Sequence, residues 1–224
     1  MRKYQQNIPS VLRLKSRFGK LRFSANRGLK RSCDIVFAVL GIVLLSPLLV
    51  LVSILIKLDS NGSLFFKQQR VGLDGVLFSM WKFRSMVNDA EAIRTDLEVQ
   101  NEMQNGVLFK MKKDPRITRV GRFIRKASID EMPQLFNVIK GDMSLVGPRP
   151  PLPNEVDEYD RFDHARLRVL PGITCLWQVQ GRSDIPFEQQ VKLDVEYIET
   201  QSIFLDLMLL LKTIPAVLMA RGAY

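Results

Sequence analysis

The longest uncharged stretch of the chain runs from Ile35 to Ile56, and almost all of its residues are apolar. At a rise of about 1.5 Å per residue, a helix of this length crosses a hydrocarbon layer about 30 Å thick. A cleaved signal peptide would have a shorter apolar region that lies closer to Met1. The pattern therefore predicts a helix that binds the chain to a membrane.

Ser46 and Pro47 lie in the middle of this stretch and predict a bend in the helix. Pro47 removes one backbone hydrogen bond, and the Ser46 hydroxyl can bond to a carbonyl that is left exposed. A kinked helix could still span the membrane, as hydropathy alone favours, or it could bend back to the side from which it entered. Because the basic N-terminal segment stays in the cytosol, a spanning helix would place residues 57–224 outside. The two cysteines form no disulfide framework typical of that compartment.

The remaining pattern predicts one β-hairpin and several helices. The run from Leu64 to Phe83 contains two β-rich segments that meet at a turn of glycine, leucine and aspartate. Residues 88–105 favour a polar surface helix, and residues 110–126 have an amphipathic pattern suited to a lipid headgroup surface. The apolar run from Ile203 to Met219 contains two charges and a proline, so we expect an interfacial or core helix there. The fold class is therefore α+β and mainly helical.

The net charge of +10 comes entirely from the N-terminal end of the chain. The first 31 residues hold ten of the 33 Lys and Arg residues and none of the 23 Asp and Glu residues. The remainder is neutral, which argues against a nucleic-acid-binding protein and for a tail at an anionic membrane surface. Three regions follow: a basic tail over 1–31, a membrane helix over 32–58, and a further domain over 59–224.

Asp130 and Glu131 are the most informative neighbours in the sequence. Ser128 and Glu131 have the spacing of a capping box, which would explain Glu131 without any function. Pro133 fits poorly with a helix capped at Ser128, because it would lack an N–H in the helix interior. If the helix begins at Asp130 instead, the missing N–H lies among groups that are unpaired anyway. Two adjacent acids can converge on one ligand only at such a start or distortion.

The helix that follows the acids is predicted to end at Gly141 and to present one apolar face. That face consists of Met132, Leu135, Phe136 and Ile139.

Cations stand on both sides of the acids in the sequence. Strand alternation puts Lys82 and Arg84 on one face, where the two cations could bind one phosphate. Alternatively, they are solvated charges on an edge strand that prevent its pairing with another chain. The proline-rich stretch 148–153 predicts a stiff extended loop that aims Arg149. The chain has no P-loop, no Rossmann glycine motif and no D-x-D pair, and its single histidine makes a zinc centre or a Ser-His-Asp hydrolase improbable.

Jointly, these motifs resemble the bacterial sugar transferases, the monotopic polyprenyl-phosphate phosphoglycosyl transferases. The matching motifs are Lys30-Arg31 with Asp34, Ser46-Pro47, Lys82-Phe83-Arg84-Ser85-Met86, the run from Arg125 through Asp130-Glu131 to Gln134-Leu135, and Gly147-Pro148-Arg149-Pro150. They occur in family order over residues 30 to about 220. The C-terminal sequence RGAY is similar to that of members that initiate exopolysaccharide, capsule or O-antigen repeat units.

The resemblance implies a re-entrant helix hairpin at Ser46 and Pro47, with the catalytic domain on the cytosolic face of the bacterial inner membrane. It also implies transfer of a sugar 1-phosphate from a UDP-sugar to undecaprenyl phosphate, with release of UMP. Asp130 would be the nucleophile that forms a covalent phosphosugar, and Glu131, beside Asp130, would hold Mg²⁺. The cations implied to bind phosphate oxygens are Lys82, Arg84, Arg125 and Arg149, and Arg182 and Asp194 are further candidates for nucleotide or metal contacts.

Lys30 and Arg31 are expected to bind the polyprenyl phosphate headgroup, although attraction to anionic lipids explains them as well. A membrane-anchored module that binds nucleic acid or anionic lipid without catalysis is the main alternative function. A direct-displacement enzyme that forms no covalent intermediate is another. The sequence does not identify the sugar that is transferred, and it does not decide whether the chain forms a homo-oligomer.

Overall fold

The computed structural model describes residues 17–87, 90, 114–181 and 185–218, with the backbone alone for 17–26 and 218. Within these ranges, the α-helices are α1 (Arg17–Asp59), α2 (Arg119–Lys126), α3 (Gln134–Lys140), α4 (Pro153–Asp157), α5 (Leu176–Gln180), α6 (Phe187–Thr200) and α7 (Ile203–Leu218). The strands are β1 (Phe65–Val71), β2 (Leu77–Phe83), β3 (Ser144–Val146) and β4 (Gly172–Thr174). The predicted α+β, mainly helical class is confirmed. The predicted helix over 88–105, apart from residue 90, lies outside the described residues, as do residues 110–113 and Arg182. The described part of the 110–126 pattern contains α2, in which Gly121 and Ile124 are buried and Phe123 is exposed.

Helix α1 contains the predicted membrane segment and is longer than that segment. It begins at Arg17, so part of the basic N-terminal region is helical rather than a tail. Its part from Arg27 to Asp59 is long and apolar enough to cross a membrane, and an 18-residue window within it has a mean hydropathy of 3.0. Pro47 lies inside the helix, and the Ser46 hydroxyl donates to the Val43 carbonyl at 2.8 Å. The Ser46 hydroxyl thus replaces the backbone N–H that Pro47 cannot offer to the Val43 carbonyl.

Both halves of α1 pack against the rest of the described chain. In the first half, Ala38 lies in the main core with residues of β2, α3 and α7. In the second half, Val52 and Ile56 pack against Phe83 and Ile124. The residues around Ser46 and Pro47 are exposed. The helix is therefore held at two places, with its proline-containing middle uncovered between them.

The predicted β-hairpin is confirmed. Strands β1 and β2 pair antiparallel, with a register that runs from Phe65 opposite Phe83 to Val71 opposite Leu77. The turn between them needs positive φ at Asp74 (52°) and at Gly75 (79°), conformations that aspartate and glycine tolerate better than most residues. This register decides which side chains share a face of the hairpin.

Strands β3 and β4 form a second, parallel pair beside the core. A Cβ atom at Gly172 would lie 2.1 Å from the backbone nitrogen of Gly147, so only glycine allows the two chains to approach this closely. The proline-rich loop begins directly after Gly147, so the close contact with Gly172 fixes the start of the loop against the first residue of β4. Helix α7, predicted to be an interfacial or core helix, closes this side with Leu209 in the core and Pro215 inside the helix. Its Phe204 and Leu211 side chains are exposed, so the helix has both a core face and an exposed apolar face.

Candidate active site

Asp130 and Glu131 lie in a short 3₁₀ turn, Ile129–Glu131, rather than at the start of an α-helix. The Ser128 side chain makes no capping hydrogen bond, so the capping box suggested by the sequence is absent. Ser128 instead adopts a left-handed conformation with φ 54°, an uncommon one for serine. The chain therefore changes direction immediately before the two acids, and the local distortion that the sequence required for their convergence exists.

The α-helix itself starts only at Gln134, four residues later than predicted, and ends at Gly141 as predicted, with φ 98°. Of the predicted apolar face, Leu135 is buried, whereas Phe136 and Ile139 are 45% and 36% exposed. The buried face of α3 consists of Gln134, Leu135, Asn137 and Val138.

The Asp130 carboxyl group is buried, and this burial governs its charge. Burial raises the pKa of Asp130 to about 6, a shift that the Lys82 ammonium group opposes and the Glu131 carboxylate reinforces. Arg125 also lowers this pKa, which places the Arg125 guanidinium in the electrostatic environment of the acid. A carboxyl group with this pKa is mainly ionised at neutral pH and is poorly hydrated, both of which favour a nucleophile.

Glu131 is held by a direct ion pair with Lys82. The Lys82 Nζ atom lies 2.7 Å from Glu131 Oε1. Burial would raise the pKa of Glu131, but the charge and hydrogen bond of Lys82 outweigh it, so the pKa lies below its usual range. Arg149 and Arg70 lower it further. The two adjacent acids therefore differ: the pKa of Glu131 lies below its usual range and that of Asp130 above it, so Asp130 takes up a proton first as the pH falls.

A narrow cavity opens beside Glu131 and is lined by strands of the hairpin, the 3₁₀ turn and the proline-rich loop, whereas Asp130, the next residue back, is not part of its wall. Its charged walls are Arg70, Lys82, Glu131 and Arg149. The amide side chains of Gln134 and Gln178 complete its polar lining. Two of the predicted phosphate-binding residues, Lys82 and Arg149, are thus brought together with Glu131. Three cations around one carboxylate make this cavity a receptor for an anion.

Arg70 is the member of this cavity that sequence reasoning missed. In the hairpin register, Arg70 lies opposite Phe78, Gln68 opposite Met80, and Phe66 opposite Lys82. Opposed residues share a face, so alternation places Gln68, Arg70 and Lys82 on the same side of the hairpin. The signal was present in the sequence once the turn had fixed the register.

Arg84, predicted to grip a phosphate together with Lys82, lies elsewhere. It is buried at the C-terminal end of α1, where its Nη2 atom donates to the Ser60 carbonyl at 2.6 Å and to the Ile56 carbonyl at 3.3 Å. A cation at this position complements the negative end of a helix. Lys82 belongs to the hairpin face that turns to Glu131, whereas Arg84 follows the end of β2, so strand alternation no longer relates the two.

Asp194, a candidate nucleotide or metal contact, forms a fully buried ion pair in the structure. Arg166 donates to Asp194 Oδ2 through Nε at 2.8 Å, and through Nη1 to the Tyr159 hydroxyl at 2.9 Å. Burial alone would lower the pKa of Arg166, but the Asp194 carboxylate raises it above its usual range. This placement favours a structural role for Asp194 rather than contact with a ligand.

Lys30 and Arg31 also have partners inside the protein. Lys30 Nζ lies 2.6 Å from Asp206 Oδ2 and donates to the Val146 carbonyl at 3.2 Å. Arg31 donates to the Val138 carbonyl at 2.6 Å and to the Ile139 carbonyl at 2.9 Å, at the C-terminal end of α3. Both cations fasten α1 to the domain, and their binding of a polyprenyl phosphate headgroup stays a prediction.

Asp130 and Glu131 are the residues that fit a metal ion. Among the described residues, no group of three or more His, Cys, Asp or Glu side chains converges on one point. Mg²⁺ does not need such a group, because it is commonly held by one or two carboxylates, water and substrate phosphates. Two adjacent carboxylates beside an anion-binding cavity match this donor set.

The family comparison covers almost the whole chain. A model of the family described as "Bacterial sugar transferase" matches residues 25–220. The chain is 48% identical over 195 residues to the galactosyl transferase CpsE of Streptococcus agalactiae, an alignment that covers 87% of the chain and 43% of that relative. It is 42% identical over 218 residues to the undecaprenyl-phosphate galactose phosphotransferase of Salmonella typhimurium, covering 96% of the chain and 45% of the relative.

A shorter relative matches along most of its own length. The exopolysaccharide production protein ExoY of Sinorhizobium fredii is 40% identical over 198 residues, which is 87% of the chain and 88% of the relative. The chain thus spans less than half of CpsE and of the Salmonella protein, but most of ExoY. The paired acids, the cation-lined cavity and the long apolar helix all lie within the matched residues, and the chain belongs to the bacterial sugar transferase family.

Proposed function

We propose that the chain is a phosphoglycosyl transferase that moves a sugar 1-phosphate from a UDP-sugar to undecaprenyl phosphate, as the first membrane step of polysaccharide repeat assembly. The observation that carries the proposal is the adjacent pair Asp130 and Glu131, of which Glu131 lines a cavity together with Lys82, Arg149 and Arg70. Relatives named as undecaprenyl-phosphate phosphotransferases of galactose, N-acetylgalactosamine and glucose support this activity.

In the first step, a carboxylate oxygen of Asp130 attacks the phosphorus atom that bears the sugar. The new bond is an acyl phosphate, and the bond to the departing phosphate breaks, so that UMP leaves with the electron pair. Burial at the 3₁₀ turn removes water from the Asp130 carboxylate, and Lys82 and Arg125 keep it ionised enough to react. In the second step, an oxygen of undecaprenyl phosphate attacks the same phosphorus atom and restores the carboxylate.

Glu131 and Asp130 would hold Mg²⁺, which neutralises phosphate charge and reduces repulsion between the substrate and the two acids when it is bound. Lys82 keeps Glu131 anionic and fixes its direction through the 2.7 Å ion pair. Arg149, in the proline-rich loop, lines the same cavity, where its planar guanidinium group suits binding of phosphate oxygens. Each residue thus binds or orients charge, which is the main requirement of phosphoryl transfer.

We further propose that α1 is re-entrant and that the domain lies on the cytosolic face of the bacterial inner membrane. The two halves of α1 pack on one body through Ala38 and through Val52 and Ile56, whereas Ser46 and Pro47 between them are exposed. A helix that spans a bilayer would carry its ends to opposite sides. Other large apolar side chains are exposed near α1 on three helices: Phe123, Phe136, Phe204, Leu207, Leu211 and Ile214.

The catalytic proposal is tested by mass spectrometry of the purified chain in nanodiscs with Mg²⁺ and, separately, UDP-galactose, UDP-glucose or UDP-N-acetylgalactosamine. We expect a sugar-phosphate adduct and one equivalent of UMP without lipid, and continued UMP release when undecaprenyl phosphate is added. Asp130→Asn should abolish both signals. Asp74→Asn, a conservative change in the hairpin turn, is the matched control and should retain them. UMP release without an adduct would instead show direct displacement, and no turnover with any donor would favour a binding module.

The re-entrant proposal is tested by labelling single cysteines from one side of sealed vesicles. Gly28→Cys and Asn61→Cys place a thiol at exposed positions near the two ends of the apolar helix, in a background with Cys33→Ala and Cys175→Ala. An impermeant maleimide should reach both positions from the cytosolic side only. Labelling of the two thiols from opposite sides would show a spanning helix and reject the proposal.

A further inference from the structure

We propose that Arg70 is a phosphate ligand of the cavity and that Arg70 and Arg149 together form a paired guanidinium site for the diphosphate of the nucleotide donor. This inference rests on the proposed function for the identity of the anion. It concerns a residue that the family motifs quoted above do not include. The geometry, the hydrogen-bond partners and the charge balance of the cavity each support it.

The position of Arg70 places its guanidinium inside the wall of the cavity. Arg70 is the penultimate residue of β1, is only 4% exposed, and lines the cavity with Lys82, Glu131 and Arg149. In the hairpin register, Arg70 pairs with Phe78 and Lys82 pairs with Phe66, so both cations lie on the same face of the hairpin. A rigid two-stranded frame thus aims both cations at one space.

The hydrogen-bond partners of Arg70 are all neutral. Nε and Nη2 donate to the side-chain oxygen of Gln68 at 3.1 and 2.6 Å, and Nη1 donates to the Pro150 carbonyl at 2.9 Å. A guanidinium group has five N–H bonds, so Nη1 and Nη2 each keep one for another acceptor. Among the described residues, no carboxylate forms a hydrogen bond with Arg70. These two donors are therefore available for an anion.

The charge of Arg70 lacks a matching acid within the cavity. Glu131 is already bonded to Lys82, and Glu155 accepts from the Leu152 backbone at 2.8 Å. Burial and then repulsion from Arg149 lower the pKa of Arg70 to about 9, although the charges of Glu155 and Glu131 partly oppose this. A buried cation beside a like charge is costly unless an anion compensates both. A diphosphate bears at least two negative charges and offers the oxygen pairs that guanidinium groups bind best.

A structural role is the alternative, because Arg70 also holds the proline-rich loop through the Pro150 carbonyl. The loop has a second anchor on β1, however, since the Val71 backbone donates to the Pro151 carbonyl at 2.9 Å. The two roles predict opposite effects of one substitution. Gln68→Glu would place a carboxylate against Nε and Nη2 of Arg70, which strengthens the hold on the loop but neutralises the cation.

The test measures binding of UDP by calorimetry to the full chain in nanodiscs carrying Gln68→Glu. We expect the Kd of UDP to rise about tenfold or more, because the introduced carboxylate neutralises the charge with which Arg70 attracts the diphosphate. The melting temperature should stay at or above that of the unaltered chain. Gln69→Glu is the matched control: Gln69 is exposed on the opposite face, bonded to Ser79, and its substitution should leave the Kd unchanged.

An unchanged Kd in Gln68→Glu would overturn the proposal and leave Arg70 as a loop anchor. A rise in Kd accompanied by a lower melting temperature would also overturn it, since loss of structure would then explain the effect. In turnover assays, the donor KM should rise with little change in the KM for undecaprenyl phosphate. The reverse pattern would assign the cations to the lipid phosphate and reject the donor site. UDP binding needs no turnover, so a failure of the proposed reaction is distinguishable from a failure of this site.

Discussion

Removal of the Asp194 carboxylate should destabilise the fold rather than weaken a ligand contact. The side chains of Arg166 and Asp194 are 4% and 0% exposed, and their closest atoms lie 2.7 Å apart. Asp194→Ala would leave the Arg166 cation buried and unpaired, which typically costs about 3–5 kcal/mol. Against a typical total stability of about 5–15 kcal/mol, this is a large fraction. In a chain of this size it corresponds to a drop in melting temperature of roughly 6–20 °C.

The assay is thermal unfolding followed by intrinsic fluorescence in nanodiscs, together with UDP binding measured well below the transition. Lys140→Ala is the control for simple loss of an ion pair. The Lys140 side chain is 69% exposed and lies 3.1 Å from Asp142, so its removal should cost less than about 1 kcal/mol. Only the buried pair should therefore produce a clear shift.

A paired replacement sharpens the same prediction. Arg166→Met combined with Asp194→Leu removes both charges and retains apolar volume, so it should recover most of the stability that Asp194→Ala loses. The reasoning is refuted if Asp194→Ala keeps the melting temperature of the unaltered chain but loses UDP or Mg²⁺ binding. That outcome would restore Asp194 as a ligand-binding residue.

Three further substitutions test the local structure around the acids. Ser128→Gly should leave stability unchanged or raise it by about 1 kcal/mol, because φ 54° is unstrained in glycine; chemical denaturation measures this. Gly121→Ala should lower the melting temperature strongly, since its Cβ atom would lie 2.0 Å from the Ser85 carbonyl oxygen. Asn137→Ala should lower the free energy of unfolding by about 1–3 kcal/mol, measured by thermal unfolding, because the backbone N–H of Trp81 and the backbone carbonyl of Ser79 lose their partner.

Local sequence signals predicted the elements that depend on neighbouring residues. The hairpin follows from two β-rich runs and a turn whose residues accept positive φ, and α3 ends at Gly141 because glycine readily adopts φ 98°. The helical start was misplaced by four residues, because a 3₁₀ turn and Pro133 precede Gln134. A short turn of this kind leaves no periodic signal in the sequence.

The sequence by itself determined that the chain has a long apolar helix, a hairpin, and two acids at a distorted helix start among cations. Which cations meet the acids was decided only by the tertiary structure. Lys82 and Arg149 reach the cavity with Arg70, whereas Arg84 and Lys30 bind carbonyls and acids at the ends and side of α1. The physical reason is that periodicity assigns a side chain to a face, but the partner of that face depends on long-range packing.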